Sequence, residues 1–138
     1  MSAIESSLTI LSMSGPFREP REQVFSYDYS VQRSTWPTPH GVRVKISLPY
    51  ELEVFKGGLL EGVTGSPGQQ LMISNILSKK IADWKVQIAE AEGFFLERRD
   101  VMLPPFVGPL AYLFPKLEER FHVEQATIRE DVKRRVGV

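Results

Sequence analysis

The sequence predicts an α+β domain: a small, mainly antiparallel sheet from the N-terminal half, packed by two helices from the C-terminal half, with an N-terminal arm. Three observations carry that expectation. Between Val24 and Val54 apolar and polar residues largely alternate, the period of a half-buried strand. From Ser66 to Glu92 the apolar spacing changes to steps of four and three, the period of a helix. Strand patterns come first and helical patterns follow, which favours segregated layers over alternating βαβ units.

Residues 1–21 read as the arm and residues 22–138 as one α+β domain. Leu8 to Met13 is apolar enough for a short strand or a tethered segment, and Gly15, Pro16 and Pro20 are expected to break any regular element after it. The first strand is Val24 to Gln32, where Phe25, Tyr27, Tyr29 and Val31 alternate with Ser26, Asp28 and Ser30. Arg33 to His40 is a loop holding Trp36, Pro37 and Pro39. Val42, Val44, Ile46 and Leu48 form a second alternating run, and Tyr50, Leu52 and Val54 continue its parity past Pro49. Proline donates nothing to a sheet ladder, so residues 42–55 are expected to be one bent edge strand or two strands with a kink.

The long helix has clear ends. Ser66 is a good N-cap and Pro67 fits the first helical position, where its missing N–H costs nothing. Ile73, Leu77, Ile81, Trp84, Ile88 and Ala91 fall on one stripe, and Lys79, Lys80, Asp83, Lys85, Glu90 and Glu92 are expected largely off it. Gly93 suits the left-handed position after the helix. The helix would be roughly 40 Å long. The same spacing fits a seam between two chains, although its regular part is shorter than the roughly three heptads a coiled coil needs. Beyond it, Pro104-Pro105 ends a short apolar run at Val101–Leu103, and Pro115 opens a last helix. Its apolar face is Leu117, Phe121, Ile128, Val132 and Val136, with Gly137 as a stop. Glu130 with Arg134 and Asp131 with Arg135 are i,i+4 pairs on it.

Composition narrows the function. At 138 residues the chain can bury roughly two thirds of its unfolded surface, enough for a core without staples. The 17 basic and 17 acidic residues cancel, which argues against a protein that mainly neutralises phosphate. There is no cysteine, which excludes disulfides, thiolate metal sites and cysteine nucleophiles. No apolar run approaches the roughly 18 residues of a membrane span, and no secretory signal pattern opens the chain. The expected location is the cytoplasm, or the virion if the chain is viral.

No residue set points to chemistry, so no catalytic, cofactor-binding or metal-binding residue is assigned and no enzyme is expected. Gly62-Val63-Thr64-Gly65-Ser66-Pro67-Gly68 precedes a helix, as phosphate loops do. It lacks the Lys-Ser/Thr pair of a P-loop, and Pro67 removes a donor, so it reads as a connection. His40 reads as a solvated turn residue and His122 as a surface residue; two distant histidines do not make a zinc site. Glu118 and Glu119 point to different sides of a helix. Arg98-Arg99 and Lys133-Arg134-Arg135 are interleaved with acids, and no RNP-like pattern surrounds Tyr27, Tyr29 and Trp36. Nucleic acid is therefore not the expected partner.

What remains is an apolar surplus held among prolines: Leu8–Met13, Trp36, Phe94–Leu96 and Phe106–Phe114. Such segments either fold back on the core or dock on neighbouring subunits. The reading is a non-enzymatic structural or adaptor protein, working through protein–protein contacts in a homo-oligomer or larger assembly. The general layout of arm, sheet and helices resembles small structural and assembly proteins of tailed bacteriophages, though no signature residues carry that likeness and no site follows from it. The alternative is a small regulatory or nucleic-acid-binding protein, which salt-dependent retention on DNA or RNA would reveal.

Overall fold

The computed structural model describes residues 7–60, 65–94 and 99–136. It has a four-stranded, mostly antiparallel sheet and a helical second half. The strands lie in chain order: β1 (Thr9–Glu19), β2 (Val24–Gln32), β3 (His40–Ser47) and β4 (Asp100–Leu103). The first three are antiparallel neighbours, and β4 joins β3 in parallel. The helices are α1 (Glu53–Leu60), α2 (Pro67–Ala91) and α3 (Phe114–Val136). Phe95–Leu96, Arg98, Gly62–Thr64 and Gly137 lie outside the described residues.

The alternation in β2 and β3 has its expected effect. Pairing Phe25 with Ile46, Tyr27 with Val44 and Tyr29 with Val42 puts these six side chains on one face, and all are buried. The opposite face is polar. There Arg43 grips Asp28 through bonds of 2.7 and 2.9 Å, and Lys45 reaches Glu22 at 2.6 Å and Glu19 at 3.6 Å.

Helix α2 begins and ends as its sequence indicates. Ser66 caps it, and Gln69 returns the bond to the Ser66 N–H at 2.9 Å, completing a capping box. Gly93 follows with φ +78°. The stripe residues Ile73, Leu77, Ile81, Trp84 and Ile88 are buried within the chain itself, whereas Ala91 is exposed. The helix packs against the sheet and also against α1 and α3. It is therefore buried on more than one side, and Ser74, Ser78, Ala82, Lys85, Val86 and Ala89 join the stripe in the interior. Lys85, expected off the apolar face, is fully buried.

The outer helices meet at an aromatic cluster. The Phe55 ring lies 4.7 Å from that of Phe121 and 5.6 Å from that of Phe114. Leu117, Ile128 and Val132 complete the buried face of α3. Arg129 donates to the Gly58 carbonyl at 2.6 Å, tying α3 to α1. Lys133, Arg134 and Arg135 sit in the last turn of α3, where positive charge is stabilised by the negative end of the helix dipole.

Two expectations need correction, and one open alternative is decided. Strand β1 runs through Gly15 and Pro16 instead of stopping there, so residues 9–19 of the expected arm form an edge strand. The break becomes a register shift: Ser14 faces Asp28 while Phe17 faces Ser26. An edge strand tolerates proline because its outer side has no ladder to complete.

The second correction concerns residues 48–55, which are not strand. A π-helical turn (Leu48–Leu52) leads straight into α1. Pro49 sits at its start, and the Ser47 hydroxyl accepts from the Tyr50 N–H at 3.3 Å. The alternation of Tyr50, Leu52 and Val54 loses to this cap and to a buried partner for Glu51.

The alternative left open for the apolar surplus is decided for its described segments outside β1, which fold back on the core. Phe106 and Leu113 are buried in this chain's own core, and Trp36, Phe94, Leu110 and Phe114 pack against it. A 3-10 turn (Gly108–Leu113) carries Leu113 inward.

Candidate functional site

Polar groups converge most closely around the carboxylate of Glu51 and the ammonium of Lys85. Among the described residues these are the two buried charged side chains, each 0% exposed. The π-helical turn brings Glu51 inward, and α2 carries Lys85 toward it from the opposite layer. Lys85 Nζ donates to Glu51 Oε2 at 2.9 Å, to the Lys45 carbonyl at 2.6 Å and to the Pro104 carbonyl at 3.0 Å. An ammonium has three protons, so its donor capacity is used up. Glu51 accepts in turn from the Ser47 N–H at 2.7 Å and from the Phe106 N–H at 3.0 Å. The Phe106 ring covers the ammonium, 4.4 Å from its centroid.

Burial pushes the Lys85 ammonium down to about 8, and the neighbouring Glu51 carboxylate works in the opposite direction. A lysine shifted this way can be a nucleophile or base in an open pocket. Here it is closed off from solvent and its donors are engaged. The arrangement instead joins four segments: the end of β3, the π-helical turn, α2 and the Pro104–Phe106 connection. Its chemistry is that of a cross-link.

Neither partner was legible as such. Lys85 follows the stripe residue Trp84, and a single charge there suggests solvent. Glu51 lies in a run that reads as the polar face of a strand. A buried charge requires a partner, but nothing in the sequence shows which of 17 acids meets which of 17 bases.

A second cluster lies at the β2–β3 loop. The rings of Trp36 and His40 stack with centroids 3.8 Å apart and planes 8° from parallel. Arg33 lies over Trp36 at 5.6 Å and pairs with Glu90 of α2. His40 thus opens β3 and packs on an indole, rather than standing in a solvated turn. The two Gln32 amide bonds, to the carbonyls of Arg33 at 2.7 Å and Trp36 at 2.8 Å, hold the loop closed.

A third set of polar contacts fastens α2 to β2. Tyr27 and Ser78 share a hydrogen bond of 2.6 Å, and the Tyr29 hydroxyl donates to Asp83 at 2.5 Å. Burial raises both phenols above their ordinary value; at Tyr29 the Asp83 carboxylate adds to it, and at Tyr27 the Ser78 bond partly offsets it. The rings are therefore committed to the core and unavailable for stacking on bases.

The remaining sequence candidates stay apart. His122 and Glu119 are exposed on α3. Gly65 to Gly68 form the capped start of α2, with Ser66 and Gln69 occupied by each other. Among the described residues no three His, Asp or Glu side chains gather as metal ligands, and no helix is long and apolar enough to cross a membrane. Asp28, Arg43, Asp100 and Met102 line an open trough of about 470 Å³ on the polar sheet face, where Arg43 already holds Asp28 below the usual carboxylate range. Searches against protein-family models, curated proteins and solved structures give no significant match to this chain.

Proposed function

We propose that this chain is a non-enzymatic structural or adaptor protein acting through protein–protein contacts in an oligomeric assembly. The observation that supports this reading is the condition of β1. It is 11 residues long, exposed along most of its length, and presents Ile10, Leu11 and Phe17 at 42, 54 and 46% exposure. Apolar side chains grouped on one exposed strand favour association with another protein surface. The tightest polar cluster, by contrast, is turned inward and binds the chain to itself. The repeated subunits of a virion or tail of a tailed bacteriophage are one setting that uses such contacts.

Size-exclusion chromatography with light scattering tests the reading. An assembly component gives a mass that is a multiple of 15.7 kDa, or one that rises with concentration. A constant 15.7 kDa species at every concentration counts against it. Retention on DNA or RNA that weakens with salt would favour the nucleic-acid alternative instead.

A further inference from the structure

We propose that β1 is a pairing edge for a second copy of this chain, the two strands running antiparallel about a two-fold axis over Thr9–Ser14. The inference rests on the assembly reading above and names its surface.

Strand β1 is the long edge of the sheet; the opposite edge, β4, has four residues. Among the described residues no strand pairs with the outer side of β1, so the backbone N–H and C=O groups of alternate residues, those not bonded to β2, face outward. Edges of this kind are guarded by charge, by proline or by bulges. Thr9 to Phe17 carries no charge, and its proline, Pro16, lies beyond the pairing segment; Arg18 and Glu19 come only at the end, next to the turn into β2. A closed two-fold contact places residues near the axis against their own copies, so any charge there would repel itself. A strand without charge satisfies that condition. It offers nothing for a charged foreign peptide to read, and a second copy presents the same uncharged strand on its own side of the axis.

The strand also limits where pairing can occur. Pro16 has no N–H to give, and the register shift between Ser14 and Phe17 disturbs the edge beyond Ser14. Six residues remain, roughly 20 Å of strand. A further shift lies between Ile10 and Ser12, at Leu11, and interrupts the ladder there. Regular pairing is therefore confined to Thr9–Ile10 and Ser12–Ser14 on either side of it. Pairing would cover Ile10 and Leu11 and extend the sheet from four strands to eight across the axis. Six residues a side fall short of the roughly 800 Å² per partner typical of stable complexes, so the contact forms and dissociates readily on its own.

Sedimentation velocity over a wide concentration range tests this on the full chain and two lysine variants. Leu11→Lys charges the edge, and Val123→Lys charges an α3 residue that is 74% exposed. Circular dichroism checks that both retain the fold. The expected result is a concentration-dependent dimer in the native chain and in Val123→Lys, with at least a tenfold weaker dimer in Leu11→Lys. Because the chain has no cysteine, Ser12→Cys with a short bismaleimide should also trap a covalent dimer, and Thr127→Cys should not. A dimer that Leu11→Lys leaves intact, or that cross-links no better at Ser12 than at Thr127, overturns this inference and leaves the assembly reading standing. A monomer under all conditions overturns both.

Discussion

Lys85 and Glu51 form a 2.9 Å ion pair in which neither side chain reaches solvent, and the pair also satisfies four backbone groups. Those groups are the carbonyls of Lys45 and Pro104 and the N–H groups of Ser47 and Phe106. A buried ion pair can often be exchanged for apolar residues at little cost. Here the exchange would strand four backbone groups, which makes the pair harder to replace.

Removing one partner should be worse than removing both. Lys85→Met leaves a buried carboxylate without its cation, an expected loss of about 3–5 kcal/mol. The double variant Glu51→Gln/Lys85→Met carries no buried charge and should be more stable than Lys85→Met alone, though less stable than the native chain. Urea unfolding of the four members of this cycle checks the order. A double variant equal to the sum of the single losses would show that the two residues do not act as a unit.

The same pair predicts a pH trend. The Lys85 ammonium titrates near 8 when folded, against an ordinary value of 10.5, because burial disfavours its charge. Between those values the unfolded chain binds more protons than the folded one. The contribution of Lys85 to stability therefore rises with pH across that window. Below it, the group is protonated in both states and its contribution is flat. The native chain should gain stability relative to Glu51→Gln/Lys85→Met between pH 8 and 10.5, as read by denaturant midpoints in matched buffers. A difference that stays constant or shrinks would mean that burial does not dominate at this site.

Tyr29 and Asp83 hold β2 to α2. With Tyr27–Ser78 and Arg33–Glu90 they make a ladder in which sequence advances the same way on both elements. From Tyr27 to Arg33 the extended chain rises roughly 20 Å, and from Ser78 to Glu90 the helix rises roughly 18 Å. The matched lengths keep the three pairs in register. Tyr29→Phe removes one donor and leaves its ring in place, at an expected cost of about 1–2 kcal/mol. Thermal unfolding measures it, and an unchanged midpoint would show that Asp83 finds another donor.

Gly15 is required by the path of β1. Its φ is +126°, and a Cβ built there would lie 2.7 Å from the Ser26 carbonyl oxygen. Gly15→Ala meets both the backbone strain and the clash, for an expected loss of about 1–3 kcal/mol. Gly57 has open space around it, so Gly57→Ala is the control and should be neutral or stabilising. Equal effects of the two substitutions would contradict the role given to Gly15.

The elements that depend on neighbouring residues were legible in the sequence. Ser66, Pro67 and Gly93 marked the ends of α2, and the alternation of β2 marked its buried face. The elements that depend on distant residues were not. Glu51 leaves a strand-like pattern for a partner 34 residues away, and β4 is a strand because β3 lies beside it. Periodicity marked one stripe of α2, whereas packing on several sides buries Lys85 as well. Phe106 and Leu113 looked stranded among prolines because the core they complete is built by earlier parts of the chain.

Amide hydrogen exchange at low and high protein concentration tests the central claim most directly, because it reports which backbone groups a second molecule covers. The account predicts that protection rises with concentration over Thr9–Ser14, while exchange in α2 stays the same. Exchange rates in β1 that do not change from the most dilute to the most concentrated sample would contradict it.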